Sequence, residues 1–257
     1  MSKLSKNDTF IDFSDYGRPI AVAAAARLKH TSATPVQVTI VFGIAGLIAV
    51  TCILMGYYVT AGIFLILKSI IDAMDGELAR MKKRPSYTGR YLDSVFDFLL
   101  NFIVLIAIWS VDSNPFWAVL LAFFCLQLQG TLYNYYYVIL RHHSLEGDRT
   151  SKIFETSIPE AYPQESQSTV DTLFKIYRLF YSSFDKIIYA LDRNAPDADP
   201  FPKWFMSLLS IYGLGFQLLI MAVFLATGLI NLIIPFFILF SGFIFLFIGI
   251  RRLYLAG

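Results

Sequence analysis

Four aspartates stand inside apolar stretches of this sequence: Asp72 and Asp75 in SIIDAMDGELARM, and Asp93 and Asp97 in YLDSVFDFLLN. Spaced three and four apart, each pair projects from one face of a helix. The intervening MKKRPSYTG is short and contains Pro85, so it predicts a connector that folds two helices antiparallel and turns their acidic faces together. At 1.5 Å per residue, all four carboxylates fall within roughly 15 Å of that basic loop. Four carboxylates in a partly dry cavity need counter-charge, and Arg80 and Lys68 supply only part of it. An all-oxygen acidic cluster suits hard divalent cations, and two such faces can hold two ions about 4 Å apart. Mg²⁺ or Mn²⁺ is expected, with Ca²⁺ able to occupy the same oxygens.

Small residues accompany the acids. Gly76 and Ala79 flank them and Gly89 opens the second helix, leaving room for close helix packing or for a flat ligand against backbone. Arg80, one turn beyond Gly76, is placed to reach a phosphate. Metals, small residues and one arginine together point to a pyrophosphate bearing a planar base.

The full pattern, Asp72-x2-Asp75-Gly76-x2-Ala79-Arg80-x8-Gly89-x3-Asp93-x3-Asp97, resembles the signature of the CDP-alcohol phosphotransferase family at every fixed position. Pro35-Val-Gln-Val-Thr39 resembles the Pro-x-x-x-Thr with which that family begins its first span. The resemblance implies metal-dependent transfer of a substituted phosphate from a CDP-linked donor to a hydroxyl, with release of CMP. It implies that Asp72, Asp75 and Asp93 bind metals and diphosphate, and that Asp97 is the general base and also touches a metal. Thr39, Asp72, Gly76, Ala79, Arg80 and Gly89 would then form the donor site. A homodimer with a site in each subunit is also implied.

The rest of the chain must hold these residues in lipid. The composition is 56% hydrophobic and only 16% charged, which excludes an ordinary soluble domain and indicates an all-α integral membrane protein; no nucleic-acid partner is expected. Six spans are predicted near 36–58, 59–80, 90–112, 115–140, 204–227 and 229–250. They form a catalytic domain over 36–257 with an insertion at about 142–203. Residues 1–35 form a separate segment carrying an amphipathic helix on the cytoplasmic surface. The N-terminus lacks the apolar core of a secretory signal, so insertion through the spans themselves is expected. Cys52 and Cys125 lie in apolar runs and predict no disulfide framework.

Basic residues gather at alternate joints. Lys3, Lys6, Arg18, Arg27 and Lys29 precede the first span, Arg80 to Arg90 lie between the second and third, and Arg251 and Arg252 follow the sixth. Both termini and the acidic site are therefore expected on the cytoplasmic side, of a bacterial inner membrane or of the endoplasmic reticulum in a eukaryote. Within the insertion, Leu173, Tyr177, Phe180, Phe184, Ile187 and Leu191 recur at helical spacing. They predict a helix packed on the cytoplasmic face, with a lid over the site as the alternative.

The substrate pair is less legible. CDP-diacylglycerol with a small polar alcohol is the favoured reading; the alternative is CDP-choline or CDP-ethanolamine with diacylglycerol. Ser94-Val-Phe between the last two aspartates lacks the histidine that the eukaryotic choline and ethanolamine enzymes carry there. Phe98 replaces the basic residue that several members with phosphorylated acceptors place after the last aspartate. Lys68 and Arg141 remain as basic candidates for the acceptor site, Lys68 being read first as an ion-pair partner of Asp72. Tyr133, Tyr135, Tyr136 and Tyr137 read as an interfacial aromatic belt. The rival of another class is an ion-coupled transporter, disfavoured because the acids occupy one adjacent pair of spans with no counterpart in the second half.

Overall fold

Local chemistry marks where the helices start and stop. Thr34 accepts from the Gln37 amide and the Gln37 side chain accepts from Thr34, a capping box with Pro35 at the first helical position that opens α2, Pro35–Leu54. Helix α3, Tyr58–Lys82, ends where Lys83 turns left-handed at φ 52°. Pro85 follows, and the Ser86 hydroxyl accepts from the Gly89 amide to open α4, Tyr87–Ser110. This computed structural model describes residues 4, 8–143, 152–198 and 200–255. Lys3, Lys6 and the segment 144–151 of the insertion lie outside the described residues.

Every regular element among the described residues is helical. Helix α1, Arg18–Leu28, precedes those above. After them come α5, Phe116–His143; α6, Gln167–Leu191; α7, Lys203–Leu209; α8, Leu214–Ala226; α9, Ile233–Phe240; and α10, Phe243–Tyr254. Among the described residues, four stretches are long and apolar enough to cross a membrane: α2, α4, α5 and the near-continuous Ile230–Tyr254. The run expected as one span at 204–227 is bent by 51° at Gly213, and counts as a fifth if taken whole. Helix α3 has the length, at 25 residues, but carries Lys68, Asp72, Asp75, Glu77, Arg80 and Lys82. On apolarity alone the described residues thus provide four or five spans where six are expected.

One apolar core joins α2, α3, α4, α5, α8 and α9 through residues such as Ile53, Leu65, Leu105, Val119, Met221 and Phe237. Gly62 of α3 permits the closest crossing, because a Cβ there would stand 2.9 Å from the Ala222 carbonyl oxygen of α8. A second core gathers α5, the end of α6, α7 and α10 around Tyr136, Phe205 and Tyr212. Beside it Asp192, fully buried, accepts from Arg251 Nε at 2.7 Å and from the Tyr136 hydroxyl at 2.6 Å. Helix α1 packs on α3 with Ala21 and Ala25 buried, so its inward side is a narrow alanine face.

Candidate active site

Helices α3 and α4 run antiparallel, since Lys68 meets Asp97 while Asp72 and Asp75, further along α3, meet Asp93, which comes earlier in α4. Helix α2 packs against both and steadies the pair. One oxygen from each of Asp72, Asp75 and Asp93 lies within 4.8 Å of the others. All three side chains are half-buried, and the Asp93 Oδ1 atom is buried with no hydrogen-bond partner among the described residues. An orphaned carboxylate oxygen amid converging carboxylates is what a divalent cation satisfies, so the donor set fits one.

Neighbouring groups hold the acids in place. Thr39 of α2 donates to Asp75 Oδ2 at 2.6 Å. Lys68, fully buried, donates to Asp97 Oδ1 at 2.6 Å. Spacing along α3 made Asp72 its first-choice partner; the structure pairs it with Asp97 instead, because the α3–α4 register brings that carboxylate to its tip. Arg80 folds back over Gly76 and pairs with Glu77 at 2.7 Å, and Arg18 also pairs with Glu77 and with Asp15.

The acids open onto a cavity of about 470 Å³. Its wall includes Asp72, Asp75, Gly76, Arg80, Asp93, Asp97 and Arg141, so it brings together seven of the residues singled out by sequence. Lys68 and Thr39 stand behind Asp97 and Asp75, and Ala79 and Gly89 are not on this wall. A second cavity of about 380 Å³ lies where the start of α2 meets the α3–α4 connector, lined by Pro35, Lys82, Arg84, Ser86, Thr88 and Glu165 among others.

Other wall residues escaped the sequence reading. The N-terminal segment contributes Asp12, Ser14, Asp15 and Arg18 as a strap across the cavity. Phe13 N–H donates to Ser210 Oγ at 2.8 Å, Ile11 N–H to Ser207 Oγ at 3.1 Å, and Tyr133 donates to Asp12 at 2.5 Å. Asn101 lies four residues beyond Asp97 on the same helical face, and Gln127, Thr131, Asn134 and Arg141 form one polar face of α5. Polar residues recurring at that spacing in an apolar run were the available signal.

Helix α6 lies across α4 and α5 and is both a packed helix and a cavity wall. Phe98 stacks on Phe180 at 4.3 Å and meets Phe123 edge-on at 5.0 Å, so this position is where α6 docks rather than a reader of the acceptor. Tyr177, Tyr181 and Asp185 of α6 face the cavity. Tyr135 and Tyr136 are not an interfacial belt: both are buried and donate to Asp192.

Residues 33–158 match the family profile of CDP-alcohol phosphatidyltransferase. Over 86 residues the chain is 38% identical to the bifunctional IPC transferase and DIPP synthase of Thermococcus kodakarensis, and 35% identical to the protein of that name from Aquifex aeolicus. Each match covers 33% of this chain and 19% of the relative, so the chain aligns with about a fifth of the length of these proteins. With the eight-residue signature lying inside the matched region and three of its aspartates converging in space, residues 33–158 form a CDP-alcohol phosphatidyltransferase domain.

Proposed function

We propose that this chain transfers a substituted phosphate from a CDP-linked donor, CDP-diacylglycerol, to the hydroxyl of a small polar alcohol. The observation that carries the reading is Asp97 on the cavity wall beside the three-carboxylate cluster, with one of its oxygens held by buried Lys68. The other oxygen of Asp97 accepts the proton as the acceptor hydroxyl attacks the phosphorus bearing the lipid. The new phosphorus–oxygen bond forms as the bond to the bridging oxygen breaks, and CMP leaves with that electron pair. Asp72, Asp75 and Asp93 are the residues that would hold Mg²⁺ or Mn²⁺, as one ion or two, which when bound offsets the charge of the diphosphate and of the leaving CMP. Arg80 and Gly76 border the donor phosphates.

In this reading α3 is the sixth span, its charges turned to the cavity and away from lipid. The 36–257 region acts as one membrane-embedded catalytic domain, α1 lies at the cytoplasmic surface, both termini are cytoplasmic and the protein is a homodimer. Purified protein with Mg²⁺ should release CMP from CDP-diacylglycerol in the presence of an acceptor, and not from CDP-choline with diacylglycerol. Asp97→Asn should abolish release while Mg²⁺-dependent CMP binding persists; its melting temperature should fall, because buried Lys68 loses its charge partner. Full activity in that variant removes Asp97 as the base, and activity undiminished by chelation removes the metal.

A further inference from the structure

Two buried amides on the cavity wall have atoms with no partner among the described residues: Asn101 Oδ1 and Gln127 Nε2, on residues 4% and 6% exposed. Leaving such groups buried and unsatisfied is costly, so their persistence points to a ligand that hydrogen-bonds them. One is an acceptor and the other a donor, a demand that hydroxyl groups meet from both sides. Asn101 stands one turn beyond Asp97 on α4, next to the reacting position, and Gln127 lines the same cavity from α5.

Helix α6, which lies outside the family-matched residues 33–158, adds a third group. Tyr181 donates to the Ser94 carbonyl oxygen at 2.8 Å and lines the cavity. Asp185 follows one turn later, about 6 Å along the helix. Among the described residues no hydrogen bond reaches its carboxyl, which burial and then Glu155 push up to about 7. An aromatic cage for an amine is poorly served here, because Tyr177 and Tyr181 stack on each other at 5.1 Å and cover one another's faces.

We infer that Asn101, Gln127 and Asp185 form the acceptor subsite and that it reads the hydroxyl groups of a small polyhydroxy alcohol. The inference rests on the phosphotransferase reading and specifies its acceptor. Asn101 and Gln127 orient the hydroxyls nearest Asp97, and the Asp185 carboxylate accepts from those at the far end.

The test uses the full chain in detergent with Mg²⁺ and CDP-diacylglycerol. Glycerol, myo-inositol and their monophosphates are offered as acceptors, against serine and ethanolamine. A polyhydroxy acceptor should support CMP release. Asp185→Asn should then raise its KM about tenfold, with kcat and the donor KM changed by less than about twofold. Asn101→Leu should raise the acceptor KM similarly while leaving the melting temperature equal or higher, since it removes an unpaired buried group; a structural role would lower it. Use of the amines alone, an unchanged acceptor KM, or parallel movement of the donor KM overturns the inference. So does CMP release with no acceptor offered; Mg²⁺-dependent CMP binding then decides whether the phosphotransferase reading falls with it.

Discussion

Replacing Gly215 with alanine adds one carbon at the point where the N-terminal strap crosses α8. That Cβ would overlap the Ser14 carbonyl oxygen, and would stand 3.0 Å from the Ser14 carbonyl carbon and 2.9 Å from Ser69 Oγ. The overlapped atom belongs to the backbone, so no rotamer change relieves the clash and residues 12–15 must shift as a unit. Overpacking of this kind costs about 1–3 kcal/mol. Release of the strap costs about the same: the Phe13, Ile11 and Tyr133 hydrogen bonds are worth about 1 kcal/mol each, near 3 kcal/mol together. The strap should therefore detach rather than strain, and amide exchange at Ile11 and Phe13 should accelerate about a hundredfold. Donor turnover should fall with it, because Asp12, Asp15 and Arg18 leave the cavity wall. Gly249→Ala is the control, since a Cβ there meets nothing within 4 Å. Unchanged exchange at Ile11 and Phe13 in Gly215→Ala would refute the account of the strap.

Three further outcomes are expected. Lys68→Met strips Asp97 of its buried partner and should cost about 3–5 kcal/mol in thermal unfolding; adding Asp97→Asn should restore most of that stability without activity. Asp192→Asn leaves Arg251 buried without a matching charge and should destabilise by a similar amount, read as a lowered melting temperature with donor affinity retained. Glu165 accepts from Ser86 Oγ and the Thr88 amide, both at 2.7 Å, and from the Tyr87 amide at 3.1 Å. Burial raises its pKa, but these hydrogen bonds outweigh it and leave the folded pKa lowered. The stabilisation is thus present above the ordinary glutamate range and lost as pH falls through the lowered value. Glu165→Gln should melt about 1 kcal/mol less stable at neutral pH, solvent screening keeping the effect small, and should match the native protein in acid.

What the sequence revealed followed periodicity and local caps. The aspartates of α3 and α4 were readable because helical spacing alone puts each pair on one face, and Pro85 with Ser86 marks the turn between them. The start of α2 was readable from Pro35. The break at Gly213 was not: hydropathy averages over 204–227, while Gly213 sits at ψ 148°, an extended conformation that interrupts the helix without changing its apolarity. Phe98 reads locally only as a missing charge, because its role depends on α6, a segment remote in sequence. Asn101 and Gln127 look like isolated polar residues until two helices place them on one wall. The Tyr135–Tyr136 pair likewise depends on Asp192, over fifty residues away, which no local pattern could announce.

The strap also imposes an order on biogenesis. Phe13 and its acceptor Ser210 are 197 residues apart, and the glycine at which the strap crosses α8 follows shortly after. At about 5–20 residues per second, a ribosome needs about 10–40 s to make the intervening chain. Once α4 is complete at Ser110, about 100 residues remain before Ser210, so for about 5–20 s the acidic helices exist while one wall of their cavity is missing. A nascent chain halted before α8 would carry the full signature and still lack a closed site, so catalytic competence is acquired late in translation.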